Sequence, residues 1–218
     1  MASQYLILLV IVCLVRFVCT GRILPLENFE TPDGVFAMSA LGLSIEEPDG
    51  WYRITDDDEL NSLFQTATRP LFSNNKRLIS DILNLTSDNL TPLFGISEYQ
   101  LGTQNVKFNP NIIRLVTKLT NEEAKENECD TFIRSNKFLQ VTQLTITDIS
   151  GCTDVNFNEK TFFSQILHLN VNNMNIRQTQ YVRRVTNNYF LTFTLSYSDE
   201  ISKTQLDNIM NTLKFRDE

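Results

Sequence analysis

The only histidine of the chain, His168, carries the side chain best suited to proton transfer near neutral pH. A Ser-His-acid triad would need this imidazole together with a serine on a tight G-x-S-x-G turn, and the sequence contains no such turn. A single imidazole without a close cysteine pair also disfavours a zinc site. His168 is therefore predicted to be an ordinary residue on a strand, and no catalytic residue is assigned.

The acidic run Asp56-Asp57-Asp58-Glu59 places four carboxylates next to one another, and carboxylates are the ligands that hard cations such as calcium prefer. Calcium-binding loops of the EF-hand type space their oxygen ligands around a central glycine, and this run has neither the spacing nor the glycine. Thr55 can cap a helix, and acidic side chains favour the positive end of a helix. The run is predicted to begin a helix over residues 55–68, and no metal or cofactor is assigned.

Arg177, Tyr181 and Arg183 share one parity within a predicted strand, so their side chains should point to the same face of a sheet. This face is a candidate site for an anionic ligand or an acidic partner. The alternative is a solvated strand face whose charges pair with their neighbours. The seven glycines nowhere form a phosphate-binding loop, which excludes the common nucleotide-binding motifs.

The N-terminus contains eleven unbroken apolar residues from Tyr5 to Val15, which Arg16 ends. A membrane-spanning helix needs about 20 apolar residues. The shorter run suits a secretory signal peptide, and the small residues near Cys19 offer a cleavage site. We predict a signal peptide over residues 1–21 and a secreted or cell-envelope protein. A retained anchor, a buried helix and lipid attachment at Cys19 are the alternatives, and membrane contact is expected only with retention or lipidation.

Two of the four cysteines, Cys129 and Cys152, remain after removal of this segment. An isolated pair in an oxidising compartment tends to form a disulfide, with two free buried thiols as the alternative. Asn84 and Asn89 each begin an Asn-x-Thr sequon and are candidate glycosylation sites in a host that glycosylates.

The formal net charge of −7 is spread along the 218 residues without a long acidic block. Nucleic-acid binding requires a basic face to neutralise phosphates, so this charge balance argues against nucleic acid as a partner. The 42% hydrophobic content, with 15 Phe, is sufficient for the core of one domain.

The strongest strand signal lies over residues 189–197, where Tyr189, Leu191, Phe193, Leu195 and Tyr197 alternate with polar residues. The first set predicts a buried face, and the second set predicts a wetter one. A helix that begins at Ser198 or Asp199 should cover the apolar face. The polar set consists of Thr192, Thr194 and Ser196; the apolar stripe of the helix consists of Leu206, Ile209, Met210 and Leu213.

Shorter patterns predict the remaining elements. Thr120 and Glu123 form a capping box for a helix that runs toward Leu139. Residues 22–39 are predicted as an extended lead-in, and residues 40–218 as a single α+β domain in which helices flank an antiparallel sheet. A second helix is predicted over residues 75–85; further strands are predicted within residues 41–46, 51–54, 93–99, 112–119, 141–149, 163–171 and 174–185.

A strand that leads into Pro48-Asp49-Gly50-Trp51 resembles the beginning of the Mog1/PsbP-type fold. The strand pair before a C-terminal helix that ends in Thr212-Leu213-Lys214-Phe215 resembles its close. The resemblance covers most of residues 40–216 and implies an α/β/α sandwich. The Mog1 group binds a nuclear GTPase and the PsbP group serves a photosystem, whereas the predicted signal peptide is closer to small secreted or lipid-anchored bacterial members. No functional residue is carried over.

These observations favour a non-enzymatic secreted or cell-envelope module that binds an unidentified protein or small anionic ligand. The alternatives are an assembly factor for a membrane complex and a hydrolase with a carboxylate-based site. The sheet is expected to be the scaffold. Its less apolar face and the loops between residues 86 and 160 are expected to carry the function.

Overall fold

The computed structural model describes residues 34–38, 42–54, 90–100, 103–140, 146–171, 173–186 and 189–215. The predicted signal peptide, the predicted helices over residues 55–68 and 75–85, and the sequons at Asn84 and Asn89 lie outside these ranges. The strands are β1 (Val35–Met38), β2 (Leu43–Glu46), β3 (Tyr52–Ile54), β4 (Leu90–Ser97), β5 (Asn111–Lys118), β6 (Ile146–Ile149), β7 (Thr153–Phe157), β8 (Lys160–Val171), β9 (Met174–Thr186), β10 (Tyr189–Tyr197) and β11 (Lys214–Phe215); the α helices are α1 (Glu128–Gln140) and α2 (Glu200–Met210).

The large sheet has the strand order β3-β4-β5-β10-β9-β8-β6, with β7 also paired to β8. Every one of these pairings is antiparallel. The long strands β8, β9 and β10 follow one another along the chain, as the sequence predicts. With α1 and α2 beside it, this sheet confirms the predicted α+β class.

The core face of the large sheet carries Leu191, Phe193 and Leu195, each with no exposed surface. Helix α2 lies across this face and packs Leu206 and Met210 into the same cluster. Burying a side chain of this size contributes roughly 1.5–3 kcal/mol. The predicted helical cover of the apolar face is therefore confirmed.

A small sheet of order β1-β2-β11 also packs on the core face. Its central strand β2 contributes Leu43 and Ile45 to the core. Strand β1 lies within the predicted lead-in of residues 22–39, and β11 follows the last helix, where no strand was predicted. Both are short strands whose pairing partners the local pattern does not reveal.

The opposite face of the large sheet is also buried, which corrects the prediction of a wetter face. Thr192 is 9% exposed, and Thr194 and Ser196 are fully covered. Part of the cover is α1, whose Phe132 packs in a cluster with Val182 and Phe190. Alternation therefore locates the apolar face but does not show that the polar face is open to water.

The predicted capping box exists, but it begins a different element. The Thr120 N–H donates to Glu123 Oε2 at 3.0 Å, and the Glu123 N–H donates to Thr120 Oγ1 at 3.3 Å. These bonds begin a 3₁₀ turn, Glu123–Lys125, which ends where Glu126 becomes extended. The α helix then begins at Glu128, and Asn127 Oδ1 accepts from the Cys129 N–H at 2.8 Å. None of the helices in the described ranges is long and apolar enough to cross a membrane.

Candidate binding site at one end of the large sheet

The candidate site lies at the end of the large sheet where β4 and β10 finish and β5 and β9 begin. The connections that leave the sheet there include residues 98–110 between β4 and β5 and residues 198–199 between β10 and α2. Loops at one end of a rigid sheet commonly carry binding residues. We call this region the Tyr99 end. The row of Cα partners that borders it consists of Ser97, Asn111, Ser196 and Gln178.

Tyr99 follows β4 directly, and its side chain is 40% exposed. The Asn109 side chain pairs with both backbone polar groups of Tyr99: Oδ1 accepts from the Tyr99 N–H at 3.0 Å, and Nδ2 donates to the Tyr99 carbonyl at 2.6 Å. The Ser97 hydroxyl donates to the same carbonyl at 2.7 Å. The backbone of Tyr99 is therefore fixed although its ring faces solvent.

The phenol of Tyr99 donates to Glu98 Oε1 at 3.0 Å. This hydrogen bond, together with the negative charge of the Glu98 carboxylate, raises the pKa of Tyr99 above its usual value. A phenol is protonated at physiological pH even without this shift. The Tyr99 side chain can therefore contact a partner as a neutral aromatic ring that carries a hydroxyl group.

The base of the 98–110 loop extends the pairing of β4 with β5. The Glu98 N–H donates to the Pro110 carbonyl at 3.0 Å, and Asn111 Nδ2 donates to the Asn109 carbonyl at 2.7 Å. Phe108 is buried and anchors the returning arm of the loop. These contacts place Asn109 beside Tyr99 and explain why the pairing of the two residues is possible.

Ile201 lies in the first turn of α2 and is 76% exposed. Tyr99 and Ile201 are the exposed large apolar residues of the described ranges, and both belong to the Tyr99 end. Strand β5 separates β4 from β10, so the two connections leave the sheet about 10 Å apart.

The predicted ligand residue Arg177 borders the same end on the core face. Its Nη1 is 2.6 Å from Glu200 Oε1, and its guanidinium lies 5.3 Å from the centre of the Tyr197 ring. His168 is the cross-strand partner of Arg177, and Asp148 is the partner of His168. The structure thus brings the two residues Arg177 and His168, which the sequence singled out separately, into one row.

The other two predicted ligand residues lie elsewhere. Tyr181 is 8% exposed and packs edge-on against Phe157, with the two ring centres 5.0 Å apart. Burial is the main cause that raises the pKa of Tyr181. Arg183 places its guanidinium 5.4 Å from the centre of the Phe215 ring. Because α2 and the small sheet cover the core face, these residues do not form an open basic surface with Arg177. The predicted ligand face is corrected accordingly.

A network on the opposite face ties the start of α1 to the large sheet. Arg184 of β9 donates from Nη1 to the Ala124 carbonyl at 2.6 Å and from Nη2 to the Glu126 carbonyl at 2.9 Å. Its backbone N–H donates to Glu128 Oε1 at 3.2 Å. These contacts satisfy carbonyl groups at the end of the 3₁₀ turn and give Arg184 a positioning role.

The disulfide between Cys129 and Cys152 adds a covalent tie to this network, with the two Cα atoms 6.0 Å apart. It joins the first turn of α1 to the connection between β6 and β7. The structure therefore pairs the two cysteines that the sequence analysis paired.

Within the part of the chain that the structure describes, no group of three or more His, Cys, Asp or Glu side chains could hold a metal ion. The acidic run Asp56-Asp57-Asp58-Glu59, to which the sequence analysis assigns no metal, lies outside the described ranges.

Sequence reasoning did not find Tyr99, Asn109 or Ile201. The Asn109-Pro110 dipeptide is a turn signal and marks the return of the loop. The sequence does not reveal that the Asn109 amide reaches back across ten residues to Tyr99. Nor does helical spacing alone show which residue of α2 remains exposed.

No family model and no curated protein matches the chain. Solved structures are similar at low identity. The solution structure of cyanobacterial PsbP from Synechocystis sp. PCC 6803 is 10% identical with a TM-score of 0.48, over 84% of this chain and 91% of that chain. LpqN, involved in cell envelope biogenesis of Mycobacterium tuberculosis, is 12% identical with a TM-score of 0.46, over 80% of this chain and 83% of that chain.

A protein of unknown function from Pseudomonas aeruginosa is 13% identical with a TM-score of 0.39, over 60% of this chain and 83% of that chain. These likenesses concern the fold alone. They include a PsbP protein, which has the type of fold that the sequence analysis named.

Proposed function

We propose that this protein is a non-enzymatic, extracytoplasmic binding module that engages a protein partner through the Tyr99 end. The observation that carries the proposal is the exposed ring of Tyr99 on a backbone that Asn109 fixes from both sides. Aromatic residues are enriched among the side chains that dominate binding energy. A pre-positioned aromatic ring loses little conformational entropy when it binds.

The compartment is supported by the covalent pair in the structure. Disulfides form and persist in secreted and envelope proteins and are rare in a reducing cytosol. The Cys129–Cys152 bond therefore supports export, in agreement with the signal peptide predicted over residues 1–21.

A protein partner is favoured over a small anion by the state of Arg177. Its guanidinium is already paired with Glu200 at 2.6 Å, and an anionic ligand would have to displace that carboxylate. A protein surface can instead contact Tyr99 and Ile201 and leave the Arg177–Glu200 pair in place.

The test is affinity capture from the secreted or envelope fraction of the native host, with the full chain produced under oxidising conditions as bait. Tyr99→Ala and Ile201→Ser are compared with the wild type. We expect the apparent affinity for a stoichiometric partner to fall at least about fivefold in Tyr99→Ala, because a central aromatic anchor typically contributes more than about 1 kcal/mol.

Asp154→Ala is the matched control, since Asp154 is exposed on β7, away from the Tyr99 end. It should capture the partner as the wild type does. Equal capture by the wild type and Tyr99→Ala would refute the assigned site. If no stoichiometric protein partner is retained by the wild type, the binding function itself is wrong.

A further inference from the structure

A row of polar side chains crosses the three central strands of the large sheet on its opposite face. Gln178 of β9, Ser196 of β10 and Asn111 of β5 are successive Cα partners. The exposed fractions are 0% for Gln178 and Ser196 and 1% for Asn111. Three neutral polar groups therefore lie side by side with no access to bulk water.

The two amide nitrogens of this row each donate a hydrogen bond, whereas its two amide oxygens accept none. Gln178 Nε2 donates to Ser196 Oγ at 3.1 Å, and Asn111 Nδ2 donates to the Asn109 carbonyl at 2.7 Å. No donor reaches Gln178 Oε1 or Asn111 Oδ1 in the described part of the molecule. Both carbonyl oxygens have lost their solvent hydrogen bonds without replacement by a protein donor.

Turning the amide groups over does not remove the mismatch. The bond to the Asn109 carbonyl requires a donor and fixes the orientation of the Asn111 amide. If the Gln178 amide were reversed, its oxygen would accept from Ser196 and its NH₂ group would lack an acceptor. One polar atom at Gln178 stays unmatched in either orientation.

Native proteins satisfy such groups with an ordered internal water when no protein group reaches them. We propose that this row is an internal hydration site, with one water donating to Gln178 Oε1 and another to Asn111 Oδ1. Ser196 Oγ accepts from Gln178, so its own proton is available to a water between the two amides. The inference goes beyond the proposed function and does not depend on it.

Water fits the chemistry of the row better than an ion does. Gln178, Ser196 and Asn111 are all neutral, and a buried cation without a carboxylate would carry a large desolvation penalty. The Cα atoms of Gln178 and Asn111 are two strands apart, about 10 Å, which leaves Ser196 between the two carbonyl oxygens. Two waters with a shared hydroxyl neighbour match this spacing.

Oxygen-17 relaxation dispersion of the full chain counts long-lived internal waters and tests the proposal. We expect Gln178→Met to lose at least one such water relative to the wild type. Gln165→Met is the control: Gln165 is 2% exposed on the same face, and its Nε2 donates to the Ser150 carbonyl at 2.9 Å. This control should keep the wild-type count, and an unchanged count in Gln178→Met would overturn the proposal.

A high-resolution crystal structure of the wild type decides the matter should Gln178→Met not fold. We expect a water about 2.7–3.2 Å from each of the two carbonyl oxygens. A protein donor at both positions would overturn the proposal. So would a metal ion or a larger ligand in the density, or its added mass in native mass spectrometry.

Discussion

The side-chain amide of Asn109 makes the two hydrogen bonds with Tyr99 that a neighbouring strand would otherwise make. Asn109 Oδ1 accepts from the Tyr99 N–H at 3.0 Å, and Asn109 Nδ2 donates to the Tyr99 carbonyl at 2.6 Å. Strand β4 ends two residues earlier, at Ser97. The hydrogen-bonding pattern of the sheet therefore continues past its last strand residue. The exposed ring therefore stands on a backbone that is hydrogen-bonded like that of the adjoining strand.

We predict that Asn109→Ala releases the loop without unfolding the domain. Each hydrogen bond typically contributes about 1 kcal/mol, so the loss of two should speed amide exchange at Tyr99 by at least about tenfold. Hydrogen–deuterium exchange followed by NMR measures this rate. Gln104→Ala, an exposed position in the same loop, should leave the rate unchanged. Equal protection in Asn109→Ala and the wild type would show that Asn109 does not hold the loop.

Reduction of the disulfide should lower stability. Cys129 and Cys152 are 23 positions apart, and a cross-link that closes a loop of this length contributes roughly 3 kcal/mol. The free energy of unfolding, measured by urea denaturation with and without a thiol reductant, should fall by that amount in the wild type. The Cys129→Ser/Cys152→Ser variant should be equally stable in both conditions. A wild type that is insensitive to the reductant would contradict the expectation.

Arg184→Ala should cost about 2 kcal/mol of unfolding free energy, because it leaves the carbonyls of Ala124 and Glu126 without their donors. Arg184→Lys should recover little, since an ammonium cannot reproduce the forked geometry of a guanidinium. Thermal and urea unfolding provide the measurement. Arg134→Ala is the control: its side chain is 55% exposed in its ion pairs with Glu123 and Glu126, so the cost should stay below about 1 kcal/mol.

The cap of α2 should make stability depend on acidity. Asp199 Oδ1 accepts from the Ser202 N–H at 2.8 Å, and this backbone hydrogen bond is the first cause of the lowered pKa of Asp199. A lowered pKa stabilises the fold above the ordinary carboxyl value of about 3.9, and this contribution is lost as the pH falls through the lowered value. Asp199→Ala should therefore cost about 1 kcal/mol at pH 7 and progressively less below about pH 4.

Urea denaturation across this pH range compares Asp199→Ala with Asp199→Asn, which keeps an N-cap oxygen without the titration. Asp199→Asn should stay close to the wild type at pH 7. A gap between Asp199→Ala and the wild type that is constant from pH 7 to pH 3 would contradict the role of the charged carboxylate.

Alternation along β10 located the core face because Leu191, Phe193 and Leu195 are apolar at every second position. The same rule fails on β5, where Arg114 lies between Ile112 and Val116 on that face with no exposed surface. Its guanidinium lies 4.6 Å from the centre of the Phe94 ring, and burial lowers its pKa. A two-residue period assigns each side chain to one face of the sheet. Whether that face is apolar, polar or open to solvent depends on the elements that pack against it.

Strand β7 shows a different limit of sequence reasoning. Asp154 and Asn156 disfavour a strand, and the segment was not predicted as one. The turn that follows β7 joins it to β8, between the paired residues Phe157 and Lys160. Its two residues, Asn158 and Glu159, both have positive φ, at 42° and 66°. Two such residues define the tight hairpin turn that asparagine favours. The turn therefore indicates the β7–β8 hairpin better than the strand propensities of the β7 residues do.

The candidate site was harder to predict than the fold because it depends on exposure. Tyr99 ends a predicted strand, and Ile201 belongs to a predicted helix, so neither position looks unusual in the sequence. The features that set them apart are long-range: the amide of Asn109 for Tyr99, and the direction in which α2 crosses the core face for Ile201. Arg177 could be identified as a candidate from the sequence, because its charge and its position in a predicted strand are known without the structure.

The pairing of β2 with β11 has a consequence for the order of folding. Leu43 pairs with Phe215, so two segments that lie far apart in the sequence must meet before the small sheet is complete. Contacts between such distant residues slow folding, because a long loop must close before they form. We therefore expect the small sheet to form late, after the hairpins that join β8, β9 and β10.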